Sequence, residues 1–191
     1  MAAAGRVMTP RPASERLIDA AVAITGDRPA RIADVGTGSG AIAVALAAAL
    51  PRAEVFGTDT SAAAVLLARA NVARLRLGDR VTILHGNLLD PIPGALDLIA
   101  ANLPYLPLAE ANRHPELAGE PPEAVFVPGD GLDGYRALVA AGWERLTADG
   151  VLVIQLRRRV LAARRDQLDT LAATLADPPT ESANARSEVA A

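Results

Sequence analysis

The sequence predicts a doubly wound α/β domain, a mainly parallel sheet with helices on both faces. Three observations carry that expectation. Short apolar runs alternate with alanine-rich segments of helical pattern, a glycine-rich turn joins one such run to the helix after it, and the next run ends in an acidic residue.

Taken in order, Arg31–Val35 reads as a buried strand, and Ala41–Leu50 is a nearly unbroken stretch of good helix formers stopped by Pro51. Between them lies Asp34-Val35-Gly36-Thr37-Gly38-Ser39-Gly40. Glycine suits a strand-to-helix turn because backbone without a Cβ can turn tightly and approach a ligand, with free N–H groups at the helix start facing it. The spacing is G-x-G-x-G preceded by an acid, so the G-x-G-x-x-G dinucleotide fingerprint is not matched. The D-x-G-x-G-x-G form instead resembles motif I of the class I methyltransferases, which bind S-adenosylmethionine. That resemblance implies a Rossmann-like fold, a turn (Asp34, Gly36, Thr37, Gly38, Ser39, Gly40) that holds the methionine part, and an acid near its ammonium group.

Ala53–Gly57 reads as the second strand and delivers Asp59, 23 residues after Gly36. A carboxylate there can accept both hydroxyls of a ribose. The alternative is that Asp59, with Thr60 and Ser61, caps the helix Ala62–Leu75; Ser61 or Thr60 can serve as cap and leave Asp59 for the ligand. Thr60 is counted with the cofactor site. Arg80–His85 reads as strand three, and Gly86–Asp90 follows at its carboxyl end, where ligands of open parallel sheets lie. Asn87 could pair with the adenine edge and Leu88 cover its face; an ordinary polar turn before Pro91 and Pro93 is the equal alternative.

Strand four, Leu96–Ala101, ends in Asn102-Leu103-Pro104-Tyr105. An asparagine there, followed by a rigid proline and an aromatic ring, places an amide carbonyl and backbone carbonyls beside the transferable methyl. A planar amide or amino nitrogen could donate its hydrogens to those acceptors. The breaker-rich segment Leu106–Val127 reads equally as a lid over the substrate amide or as a surface connection. Gly131–Thr147 reads as an amphipathic helix with Leu138, Val139, Gly142, Trp143 and Leu146 near one face, Trp143 as core. Val151–Leu156 is strand five, Val160–Ala176 a last helix, and 177–191 a disordered tail with no strand pattern. The expectation is one domain over 1–176 and a sheet truncated to about five strands, with an edge that a partner subunit could cover.

Composition narrows the function. At 191 residues, 51% of them hydrophobic, the chain can fill one core. A net charge of −3 supplies no basic field for gripping nucleic acid, and Arg157–Arg159 with Arg164 and Arg165 reads as a solvated helix start. The absence of cysteine excludes disulfides and thiolate metal sites, and His85 and His114 lack ligand spacing, so no metal is expected. The N-terminus lacks the apolar core of a signal peptide and no run approaches about 18 apolar residues, so no membrane association and a cytoplasmic location are expected.

Two flanking segments sharpen the resemblance. Thr9-Pro10-Arg11-Pro12-Ala13-Ser14-Glu15-Arg16-Leu17 resembles the P-R-P-x-(T/S)-E segment before motif I in the HemK-like release-factor glutamine methyltransferases, and Gly129-Asp130-Gly131-Leu132-Asp133-Gly134-Tyr135-Arg136 resembles their G-x-D-G-L-x-x-Y-R segment. Order and spacing agree from Thr9 to Gln155. The resemblance implies methyl transfer to the glutamine nitrogen of a Gly-Gly-Gln motif in a peptide chain release factor. Asn102 would accept from the glutamine amide, the carbonyl of Leu103 would accept the second hydrogen, and Tyr105 would wall the pocket. The family has N-P-P-Y where this chain has N-L-P-Y; leucine restores an N–H and loses the ring that fixes φ, so a less preorganised pocket is expected. N-L-P-Y also resembles the motif of ribosomal RNA adenine dimethyltransferases, which makes an RNA or DNA adenine-N6 enzyme the alternative. The helical domain that bacterial members carry before P-R-P and the hairpin after strand five are both expected to be missing, and a cofactor-binding paralogue without activity is the second alternative.

Overall fold

The computed structural model describes residues 13–157 and 159–176. The Thr9–Pro12 part of the P-R-P segment and the 177–191 tail lie outside the described residues. The chain runs α1 (Ala13–Thr25), β1 (Ala30–Val35), α2 (Ala41–Ala49), β2 (Ala53–Asp59), α3 (Ala62–Arg74), β3 (Val81–His85), β4 (Leu96–Ala101), β5 (Leu106–Pro107), β6 (Phe126–Val127), α4 (Asp133–Arg145), β7 (Leu146–Leu156), β8 (Arg159–Arg164) and α5 (Leu168–Ala176).

The main sheet has the order β3-β2-β1-β4-β7-β8, parallel throughout except for β8. Winding outward from β1 to β3 and then returning to β4 puts the reversal of strand order between β1 and β4, where ligands of doubly wound sheets bind. The inner strands are buried on both faces, and their alternation divides the core. Ile32, Leu98 and Val153 face a cluster with Leu17 of α1, Leu46 of α2 and Val65 of α3; Ala33, Ile99 and Leu152 face one with Leu138 of α4 and Leu168 of α5.

The doubly wound, mainly parallel architecture agrees with the expectation; two details of the carboxyl-terminal third do not. The expected helix Val160–Ala176 is a strand followed by a shorter helix: β8 pairs antiparallel with β7 from Leu156↔Arg159 to Val151↔Arg164, and α5 begins only at Leu168. The sheet therefore has six strands, and the edge expected at strand five is filled from within the chain. The reversal uses Arg157 at φ 56, the left-handed region suited to a tight connection. Arg157, Arg159 and Arg164 accordingly lie on this turn and strand, and Arg165 begins a 3-10 turn before α5. Trp143 is also not core, being 45% exposed with the Arg165 guanidinium 5.2 Å from its ring centroid. The buried stripe of α4 is Tyr135, Leu138, Val139 and Gly142, which leaves Trp143 on its shoulder.

Leu106–Val127 is closed at its base, because β5 pairs parallel with β6 and only short 3-10 turns lie between. Among the described residues no helix is long and apolar enough to cross a membrane.

Candidate active site

The glycine turn leaves the carboxyl end of β1 with Gly36, Gly38 and Gly40 at φ 72, 55 and 80. At Gly36 a side chain is excluded twice, by this conformation and because a Cβ would lie 2.7 Å from Leu103 Cδ2. The turn is tied down by its own N–H groups. Gly36 and Thr37 donate to the Thr58 carbonyl at 2.9 Å, Gly40 donates to the Thr37 carbonyl at 2.8 Å, and Gly38 donates to Asp59 Oδ2 at 2.9 Å. These N–H groups precede the helix Ala41–Ala49, at whose start free N–H groups were expected to face the ligand. Those of the turn hold its shape, which suits a ligand bearing no phosphate there.

Two carboxylates flank the turn. Asp34 is fully buried; its Oδ2 accepts from Thr37 Oγ1 at 2.6 Å and from the Ala43 N–H at 3.0 Å, while its Oδ1 has no hydrogen-bond partner among the described residues. Burial pushes its pKa up to about 6, against the lowering effect of the Thr37 and Ala43 hydrogen bonds. A buried carboxylate with a free oxygen fits a cationic group on the ligand. Asp59, at the end of β2, accepts from the Ser61 N–H at 2.8 Å on Oδ1 as well as from Gly38 on Oδ2, and Ser61 Oγ caps α3 through the Ala64 N–H at 3.4 Å. Asp59 is thus not unengaged, but each oxygen keeps capacity for one more donor.

Thr60 is exposed, and its carbonyl lies 3.0 Å from His85 Nε2. Beyond β3, Asn87 is exposed and Leu88 half-buried. Leu88 adopts φ 43, an uncommon conformation for leucine, and its carbonyl accepts from Thr58 Oγ1 at 2.7 Å. The same threonine therefore anchors the glycine turn through its carbonyl and the Leu88 turn through its hydroxyl. Ser39 lies half-buried, and its carbonyl accepts from Asn71 Nδ2 of α3 at 2.8 Å.

Asn102–Tyr105 leaves the carboxyl end of the neighbouring strand. Asn102 Nδ2 donates to Ser14 Oγ of α1 at 3.4 Å, which leaves Oδ1 as the acceptor. The Leu103 side chain is buried, between Gly36 and Gly134 of α4, and its N–H donates to the Tyr135 hydroxyl at 3.0 Å. The amide that leucine restores is therefore satisfied, and its side chain joins the two turns. Gly131, at φ 89, lies against the next part of the loop: a Cβ there would lie 2.1 Å from the Tyr105 carbonyl oxygen. Pro104 and Tyr105 are half-buried.

The Gly129–Arg136 segment is folded by an ion pair. Arg136 makes contacts of 3.0 and 2.5 Å to the two oxygens of Asp130, which also accepts the Leu132 N–H at 3.0 Å. These hydrogen bonds, the Arg136 one first, hold the Asp130 pKa down at about 2. The structure thus brings Asp34, Gly36, Thr37, Gly38, Asp59 and Leu103 together at the reversal point. Sequence reasoning gave no role to Thr58, Ser14 or the Tyr135 hydroxyl; the last two lay inside resembling segments, but no local pattern marks a side chain whose partner is distant backbone.

Residues 13–114 match a family model described as methyltransferase small domain. The chain is 43% identical over 154 residues to a release factor glutamine methyltransferase of Gloeobacter violaceus, covering 78% of this chain and 54% of that one. To one of Bradyrhizobium diazoefficiens it is 37% identical, covering 90% and 60%. A ribosomal protein uL3 glutamine methyltransferase of Bordetella pertussis is 38% identical, covering 79% and 52%. The chain spans about half the length of the curated relatives it matches. Among solved structures, the hMettl16 catalytic domain in complex with a 3′UTR hairpin superposes with a TM-score of 0.64 at 17% identity, covering 78% of this chain and 58% of that one.

Proposed function

The chain belongs to the methyltransferase small domain family, and from that premise we propose that it transfers the methyl group of S-adenosylmethionine to the side-chain nitrogen of a protein glutamine, in the Gly-Gly-Gln motif of a peptide chain release factor. The observation that carries the reading is the meeting of the two turns at the reversal point, where Leu103 fills the space over Gly36. A cofactor held by the first turn and an amide held by the second would be neighbours.

The residues fit that cofactor. Asp34 Oδ1, buried and without a partner among the described residues, would accept from its ammonium group, Asp59 would take the ribose hydroxyls, the glycine turn would admit the methionine part, and Thr60, Asn87 and Leu88 would border the adenine. Bound S-adenosylmethionine would supply a methyl carbon made electrophilic by its sulfonium sulfur, which would depart as a neutral thioether. Asn102 Oδ1 and the Leu103 carbonyl accept the two hydrogens of the glutamine amide, which fixes the plane of the nitrogen and directs its face at the methyl. Pro104 stiffens the turn and Tyr105 walls the pocket against water. An amide nitrogen is a weak nucleophile, so orientation and exclusion of water supply the gain. The nitrogen–carbon bond would form as the carbon–sulfur bond breaks, and the methylated nitrogen would then lose one of its two hydrogens as a proton to solvent when the pocket opens for product release.

The N-L-P-Y form favours adenine-N6 transfer as the second reading. The inactive-paralogue alternative rested on two expectations, no partner-docking domain and an open edge at strand five, and β8 fills that edge. Incubation with labelled S-adenosylmethionine and either release factor or ribosomal RNA tests the assignment. Label on the release factor is expected; label on RNA alone, or on neither, overturns it.

A further inference from the structure

β4 and β7 pair in parallel from Leu98↔Val151 to Ala101↔Ile154, and there their ladder stops. One residue later on β7 and two later on the β4 side, the Tyr135 hydroxyl stands between the chains. It accepts the Leu103 N–H at 3.0 Å and lies 2.5 Å from the Gln155 carbonyl oxygen and 3.0 Å from that of Leu103. A phenol has one proton, and the shorter contact takes it, so the hydroxyl accepts from one strand and donates to the other. Tyr135 is wholly buried, and burial pushes its phenol far above its ordinary pKa, so it stays protonated and keeps this donor at any working pH.

The ring is held where it must be. Tyr135 lies in the first turn of α4, whose start is shaped by the Asp130–Arg136 pair, and Arg136 also donates to the Leu175 carbonyl of α5 at 2.9 Å. The helix is thus fastened on the side away from the site before its tyrosine reaches the Asn102–Tyr105 turn. Gly131 touches the Tyr105 carbonyl from the same segment.

We propose that Tyr135 is a positioning residue for methyl transfer: its hydroxyl replaces the ladder bond lost where β4 and β7 part, and so sets the peptide of Leu103 and the adjacent Asn102 toward the acceptor amide. The proposal rests on the reading of Asn102 and Leu103 as the amide-binding pair. It does not make Tyr135 a catalytic residue, because its hydroxyl meets only backbone.

Amide hydrogen exchange and kinetics of the full chain test it. In the unsubstituted protein the Leu103 amide, although past the last paired residue, exchanges as slowly as the β4 amides; exchange at the rate of an open turn overturns the proposal. In Tyr135→Phe, which keeps the ring, the Leu103 amide exchanges at least about tenfold faster, while Ile32 and Ala33 of β1 are unchanged. Turnover falls by about tenfold or more, with S-adenosylmethionine affinity within about twofold. Unaltered Leu103 exchange, or equal acceleration across the sheet, contradicts it. The exchange measurement needs no acceptor, so an error in the substrate assignment is seen separately, as absence of transfer by the unsubstituted protein.

Discussion

Under the proposed assignment Asp34 and Asp59 divide the work of one cofactor between a buried and a half-exposed carboxylate, and each makes its own prediction. Asp59→Ala removes the acceptor for the ribose and also the anchor for the Gly38 N–H, so calorimetry should find S-adenosylmethionine binding abolished; tight binding by that variant would refute the ribose assignment. Asn102→Ala should leave binding intact and lower turnover by about 100-fold, the usual scale for losing one oriented hydrogen-bond partner in a reacting site. Asp34 predicts a pH effect. Its folded pKa of about 6 lies above its ordinary 3.8, so between those values the folded chain keeps a proton that the unfolded chain has lost. The stability from this group is present below the window and declines as pH rises through about 6, by on the order of 3 kcal/mol. An ammonium beside Oδ1 favours the charged form, so cofactor affinity should increase as pH rises through about 6, and Asp34→Asn should flatten that profile; an unchanged slope in the variant contradicts the contact. At this scale the glycine turn and its two flanking carboxylates were legible as neighbours because carboxylates and glycines at strand ends have few other uses. Ser14 and Tyr135 were not, since a hydroxyl that meets one distant partner leaves no periodic trace.

The strands buried on both faces were the most legible elements. β1 to β4 are short, mainly apolar runs, and their observed limits differ from the expected ones by at most two residues. β8 was hidden for the opposite reason. Its Arg-Val-Leu-Ala-Ala-Arg has neither alternation nor a breaker, and alanine and leucine favour a helix in isolation. Pairing with β7 and the tight turn at Arg157 outweigh that propensity, and both are tertiary facts. α5 then closes the second cluster with Leu168, Leu171 and Leu175. Leu171→Ala, at a position only 6% exposed, should cost about 2–5 kcal/mol in denaturant unfolding. Leu66→Ala on α3, 68% exposed, should change stability by less than about 0.5 kcal/mol. Equal effects from the two would contradict the burial of α5.

Across the whole molecule, the order β3-β2-β1-β4-β7-β8 decides where chemistry can occur. The carboxyl ends of β1 and β4 are adjacent only because the winding reverses there, so the glycine turn and the Asn102–Tyr105 turn, more than sixty residues apart, become neighbours. That adjacency was legible through the alternation of strands and helices, which leaves few ways to wind a parallel sheet. The contact of Leu103 with Gly36 was not, because packing across a switch point depends on side-chain volume in three dimensions. The most direct measurement of the central claim is tandem mass spectrometry of a release factor after incubation with this chain and S-adenosylmethionine. One methyl group on the side-chain nitrogen of the Gly-Gly-Gln glutamine, formed about 100-fold more slowly when Asn102→Ala replaces the unsubstituted chain, is the predicted result. An unmodified glutamine in the presence of a chain that binds the cofactor, or methylation elsewhere that survives Asn102→Ala, would contradict it.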